Sequence, residues 1–307
     1  MVHPRASVSA YTTRAVPSQT PLLKYDFGID ICKRVTTILN KNRVENILWG
    51  THLLAVYSVP TLLLVCVSSP VDITDSGCLL KISKELSFAV TGCQLQRAVV
   101  SLEKEGVPRC QDVCCSMNIL RDNQSSETFR NPSAHFHLDH PGADLAENIN
   151  TIQLYTIEDV LWELPMLGRG VDFTDGPDGN VIFANDTSLP TEQGFQGSGQ
   201  FPDLLLGVRI PTLHRYIEAL ILLALGSEPS SISRSAWLSE LTYVVNLGKL
   251  DRLGHPAFRR FCVGFRDGGT DLRILISETQ KALGPRLGKA HPMLGCKHDL
   301  GQSHLSR

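Results

Sequence analysis

No aspartate or glutamate occurs between Glu45 and Asp72, and that gap contains the most apolar stretch of the chain, LWGTHLLAVYSVPTLLLVCVSSP at 48–70. An acid-free apolar run raises the question of a membrane span, but its length answers against one. From Leu53 to Val67 only Tyr57, Ser58 and Thr61 are polar, yet this falls short of the roughly 20 apolar residues a spanning helix needs. Pro60 interrupts the run, and His52 and Ser68-Ser69-Pro70 bound it. The spacing predicts a buried helix, a turn at Ser58–Pro60 and a strand over 62–67 covered on both faces.

Other absences narrow the function. The 29 Lys and Arg against 31 Asp and Glu give a net charge of −2, so there is no basic excess to neutralise nucleic-acid phosphates. No G-x(4)-G-K-[ST] loop, no G-x-G-x-x-G after a strand and no G-x-S-x-G elbow is present, which removes the common phosphate cradles and the serine-hydrolase signature. DGPDGN at 175–180 lacks the alternating acids of a calcium loop. Residues 1–25 lack the apolar run of a signal peptide. They are also acid-free and carry Arg5, Arg14 and Lys24, a faint likeness to an organelle transit peptide, but Pro4 and Pro17 break any amphipathic helix. The expectation is a disordered tail on an intracellular, cytoplasmic protein, with organelle targeting as the alternative. Nine cysteines scattered over 307 residues do not make a small disulfide scaffold and read as reduced thiols.

What is present suits a globular chain: 42% hydrophobic and 20% charged residues. A tail is expected over 1–28, an α/β domain over 29–167, a Gly-rich loop or insertion over 168–203, a helical part over 204–283 and a loose tail over 284–307. A first helix is predicted at 29–41, from Ile31, Val35, Ile38 and Leu39. A short strand, a Gly50-Thr51 turn and a helix follow. TDSGCLLKISKELSFAVTG reads as an amphipathic helix through Leu79, Ile82, Leu86 and Val90, capped by Asp75 or Ser76 and ended by Gly92. HFHLD at 135–139 and NTIQLY at 150–155 read as strands. TIEDVLWELP reads as a helix opened by Thr156 and Asp159 and limited by Pro165. The last 80 residues before the tail contain four helical patterns, the first so apolar that it should be central. The resulting fold class is α/β (α+β): a small mixed sheet flanked by helices, with a C-terminal helical part.

Two groups of residues could carry chemistry. Cys110, Cys114 and Cys115 precede His135, His137 and His140 by about twenty residues, and Cys and His are the usual zinc ligands. In a strand, His135 and His137 share a face. Cys110, Cys114, His135 and His137 are therefore the candidate metal ligands, although their spacing matches no standard zinc knuckle.

The second group lies around Gly50. LWGTHLLAVYSVPT, HFHLD, LYTIEDVLWELP and VRIPTLHRYIEALILLAL together resemble a large set of fungal proteins related to the polymerase-β-like nucleotidyltransferases, over residues 30–250. Those proteins read G-x-h-A-L-x-x-Y-G-V-P-T before an apolar strand and R-I-P-x(5)-I-E-A-L in a later helix. The resemblance implies a strand ending in a Gly-Gly or Gly-Ser turn that holds nucleotide phosphates, then a helix, then a strand with Asp-x-Asp. The two carboxylates hold the metals that activate the attacking group. Gly50 and Thr51 stand at the turn. Carried along this sequence, the acid pair should fall at Leu63 and Val65, and both are aliphatic. Ser58 stands where the similar proteins have glycine. Asp139 is the candidate for a third acid. The expectation is a catalytically inactive nucleotidyltransferase-like protein with a binding or scaffolding role and a protein partner. Mg²⁺ and a nucleotide would enter only in the alternative, an enzyme that recruits acids such as Asp72, Asp139 and Glu218. A protein-interaction or zinc-binding module is the remaining alternative.

Overall fold

The computed structural model describes residues 29–59, 64–66, 80–82, 84–111, 115, 132–138, 150–161, 179–191, 199–201 and 207–284. Helix α1 (Ile29–Lys41) forms where the periodicity puts it and buries Ile31, Val35, Ile38 and Leu39 along one stripe. Strand β1 (Asn46–Trp49) is buried throughout. Gly50 then takes φ 67° and ψ −145°, a backbone region that is nearly closed to residues with a Cβ. This turns the chain into α2 (Thr51–Val56).

Beyond α2 the strands arrange themselves differently from the expectation. The apolar run contains β2 (Leu64–Cys66), but β2 pairs with β3 (Leu80–Ile82) in a separate two-stranded sheet. The stretch expected to be one amphipathic helix carries β3 and then β4 (Lys84–Val90). Its apolar residues satisfy two periods: Ile82, Leu86 and Val90 recur every four, while Leu86, Phe88 and Val90 alternate. Pairing on both sides decides between them, because β4 lies antiparallel to β1 and parallel to β6 (Asn150–Thr156). Gly92, expected to end a helix, instead opens a short turn at Gly92–Gln94 that leads into α3 (Leu95–Lys104). Strand β5 (Ala134–His137) pairs antiparallel with β6 and closes a mixed sheet of order β1-β4-β6-β5.

Thr156 and Asp159 bond side chain to side chain at the start of α4 (Ile157–Val160). The region expected to be loop has a strand among its described residues: β7 (Val181–Phe183) pairs with β8 (Arg209–Pro211). The four C-terminal helices all form, as α5 (Leu213–Gly226), α6 (Ile232–Val244), α7 (Pro256–Asp267) and α8 (Leu272–Leu283). Helix α5 is buried continuously from Tyr216 to Leu225, the central position its composition predicted. Ser231 and Asp271 cap α6 and α8 by accepting from Arg234 N and Arg273 N. The guanidinium of Arg234 donates to the carbonyls of Ala224 and Ser227 at the end of α5. The buried apolar residues form one cluster that runs from α1 to α8. Among the described residues no helix is long and apolar enough to cross a membrane.

Candidate functional site

Strand register divides the sheet into two faces. Leu48, Leu86, Phe88, Val90, Ile152, Leu154, Ala134 and Phe136 share one, and all are buried. The other face is unusually polar for a buried surface. Trp49, Ser87, Gln153 and His135 form one row across the four strands. Glu85, Thr151 and His137 form the next row. Ser87 Oγ donates to Gln153 Oε1 at 3.3 Å, and Tyr155 OH donates to the same oxygen at 2.9 Å. Trp49 meets the ring of Tyr216 edge-on, with centroids 4.9 Å apart, so α5 packs over this side of the sheet.

Gly50 sits directly against Ser87. A Cβ at Gly50 would lie 3.4 Å from Ser87 Oγ. The strand that faces the glycine turn is therefore β4. Val65, expected beside the turn, is in the separate β2–β3 sheet, and Leu63 lies outside the described residues. On the polar face of the four strands, Glu85 is the one acidic strand residue. Thr51 opens α2 and is half-buried. Asp72, Asp139, Cys114 and His140 also lie outside the described residues. Glu218 is in place but occupied: its carboxylate accepts from Arg215 Nη1 at 2.6 Å and from Gly254 N at 2.5 Å.

At the β5 edge, the ligand atoms of Cys110, Cys115, His135 and His137 all lie within 4.8 Å of one another. Three of the four expected ligands, Cys110, His135 and His137, are thus brought together, and Cys115 joins them. Adjacent cysteines cannot be ranked from spacing, because the distance of either from β5 is set by tertiary structure and not by sequence separation. Cys32 and Cys262 differ in kind. Burial pushes both thiols up, Cys262 to about 12, so neither has appreciable thiolate at neutral pH.

His52 links the turn to β4, through Nδ1 at 2.9 Å from the Glu85 carbonyl oxygen. Burial lowers its pKa, against the raising effect of that bond. The folded state therefore binds fewer protons here than the unfolded state, whose histidine titrates near 6.5. Its contribution to stability is full above about pH 6.5 and declines as the pH falls toward the lower folded value. His214 is shifted the same way, chiefly by burial. Unfolding free energy should thus fall between about pH 7 and pH 5. In urea titrations at both pH values, His52→Asn, which retains a donor toward Glu85, should show a shallower fall. An unchanged slope would remove His52 from this role.

No protein-family model, curated protein or solved structure matches the chain. What this face can do follows from its own residues. Among the described residues its strands offer one carboxylate, buried hydroxyl and amide groups held to each other, and, with Cys110 and Cys115, a cluster of two thiols and two imidazoles.

Proposed function

We propose that this chain is a nucleotidyltransferase-like protein that does not transfer nucleotides and acts by binding or scaffolding. The observation that carries the reading is β4 lying against β1 and the Gly50 turn. In the superfamily, the strand that accompanies the glycine turn carries Asp-x-Asp. Here Glu85-x-Ser87 occupies that spacing, which moves the acid positions from Leu63 and Val65 onto β4. One position is acidic. The other is a serine 4% exposed and bonded to Gln153. Two-metal phosphoryl chemistry needs carboxylates that bridge and orient both ions, and Mg²⁺ holds to near-ideal octahedral oxygen geometry. A single glutamate beside a hydroxyl that is already bonded supplies neither.

Ser58 supports the same reading. Its φ is 57°, the left-handed region that glycine adopts without strain. This gives a physical reason for the glycine that similar proteins have at this position. The alternative, an enzyme with recruited acids, is weakened at Glu218, whose carboxylate is already held by Arg215 and Gly254.

The test is transfer from labelled nucleoside triphosphates with Mg²⁺, together with a thermal shift against each nucleotide. The expected result is no transfer and no shift. A ligand at one hundred times its dissociation constant would stabilise by about 2.7 kcal/mol and move the midpoint by several degrees. Transfer at ordinary enzymatic rates overturns the proposal.

A further inference from the structure

The Cys/His cluster at the β5 edge lies on the same face as Glu85 and Ser87 but across β6 from them, and the nucleotidyltransferase reading makes no use of it. We propose that Cys110, Cys115, His135 and His137 bind one zinc ion in a closed, four-ligand structural site.

Independent features of the fold bring these side chains together. β5 is an edge strand, and its alternation puts His135 and His137 on one face, opposite Gln153 and Thr151. Their rings stand edge to face with centroids 5.2 Å apart. Cys110 reaches the same place along another route. Past α3 the chain runs beside β5, where Arg109 bridges to Phe136 and Cys110 N donates to the His135 carbonyl at 3.0 Å. Cys115 completes the set, with Sγ 3.3 Å from His135 Nε2 and 3.5 Å from His137 Nε2.

These separations match metal coordination. Zn–S bonds of about 2.3 Å and Zn–N bonds of about 2.0–2.1 Å place the donor atoms of a tetrahedron roughly 3.3–3.8 Å apart. Both sulfur-to-nitrogen distances fall in that interval, and all four donor atoms lie within 4.8 Å. A small inward movement closes the shell. Two thiolates with two imidazoles is a donor set that favours zinc over Mg²⁺ or Ca²⁺, which take oxygen ligands. Two thiolates also neutralise the dication, which suits a site that includes a histidine only 4% exposed. Four protein ligands leave no open position for a substrate or an activated water, so the ion's role is to hold structure. It would fasten Arg109–Cys110 and Cys115 to the outer edge of the sheet, where an uncovered strand is open to pairing with another chain.

The experiment uses the full chain, expressed with zinc supplementation and purified without chelator. Metal analysis should find one zinc per chain. Replacement by Co²⁺ should give the visible absorption of a tetrahedral thiolate complex. Cys115→Ser and His137→Ala should each weaken zinc binding by about tenfold or more. Cys93→Ser, which removes an exposed thiol outside the cluster, should still bind one zinc. Because a ligand variant could fail to fold, the Co²⁺ spectrum of the unmodified chain decides the question independently. Zinc below about a tenth of stoichiometric with no Co²⁺ complex overturns the proposal. So does full zinc retention in a Cys110→Ser/Cys115→Ser variant, or a Cys110–Cys115 disulfide in the protein as purified. Nucleotidyl transfer reads the Glu85 and Ser87 positions on β4 and zinc content reads the β5 edge, so either proposal can fail alone.

Discussion

Replacing Arg215 with methionine should destabilise this protein by roughly 2–4 kcal/mol, because the change strands a buried carboxylate. The side chain of Glu218 is 3% exposed, and its oxygens are shared between Arg215 and Gly254 N. Methionine keeps most of the arginine stem in place but removes the charge, along with the bond from Arg215 Nε to Asn180 Oδ1. Breaking a buried pair by removing one partner typically costs 3–5 kcal/mol. The arginine side chain is 27% exposed, and solvent reaching it lowers the expected cost to about 2–4 kcal/mol. The check is urea denaturation of the single variant and of Arg215→Met/Glu218→Leu. The double variant, which strands no charge, should recover more than half of the loss. A loss below about 1 kcal/mol in the single variant would mean that water reaches Glu218 and satisfies it.

Trp49→Ala should be at least as damaging, at about 3–5 kcal/mol. Trp49 is 2% exposed and is among the largest side chains buried in the core. Its position raises the cost further. It ends β1, pairs across to Ser87, and meets Tyr216 of α5 edge-on, a geometry worth about 0.5–1.5 kcal/mol beyond area burial. Tyr216 OH in turn donates to Glu240 Oε2 of α6 at 2.8 Å. One ring therefore couples the sheet to the first two C-terminal helices. Trp49→Phe should recover most of the stability by refilling the cavity. Unfolding followed by urea should show the alanine variant losing the full amount and phenylalanine losing about 1–2 kcal/mol. Equal midpoints for all three proteins would mean that α5 does not depend on this contact.

Much of the scaffold was legible because local rules and tertiary structure agree. Helices α1, α7 and α8 have apolar stripes at helical spacing with polar residues between them, so neighbouring elements had only to accept a preformed face, while α5 is apolar nearly all round and so belongs in the core. The β1–Gly50–α2 turn was legible because glycine is the residue that tolerates its backbone. His135 and His137 were predicted to share a face from alternation alone, and they do.

Where sequence and structure part, the cause is a long-range partner. The apolar residues from Ile82 to Val90 fit both a helical and an extended period, and the hydrogen bonds offered by β1 on one side and β6 on the other chose the strand for residues 84–90. That choice relocated the candidate site. Counting residues from Gly50 leads to Leu63 and Val65, but the chain forms the β2–β3 pair before it returns to β1, and the return brings Glu85 and Ser87 to the glycine turn. Cys115 joins the histidines for the same kind of reason, because its distance from β5 depends on docking of the Arg109–Cys110 segment and not on spacing. By itself, then, the sequence determined the identity and periodicity of most elements, the absence of an acid pair near Leu63 and Val65, and the supply of thiols and imidazoles. Only the tertiary structure decided which strand lies beside Gly50 and which cysteines meet His135 and His137, since both depend on pairing between residues far apart in the chain.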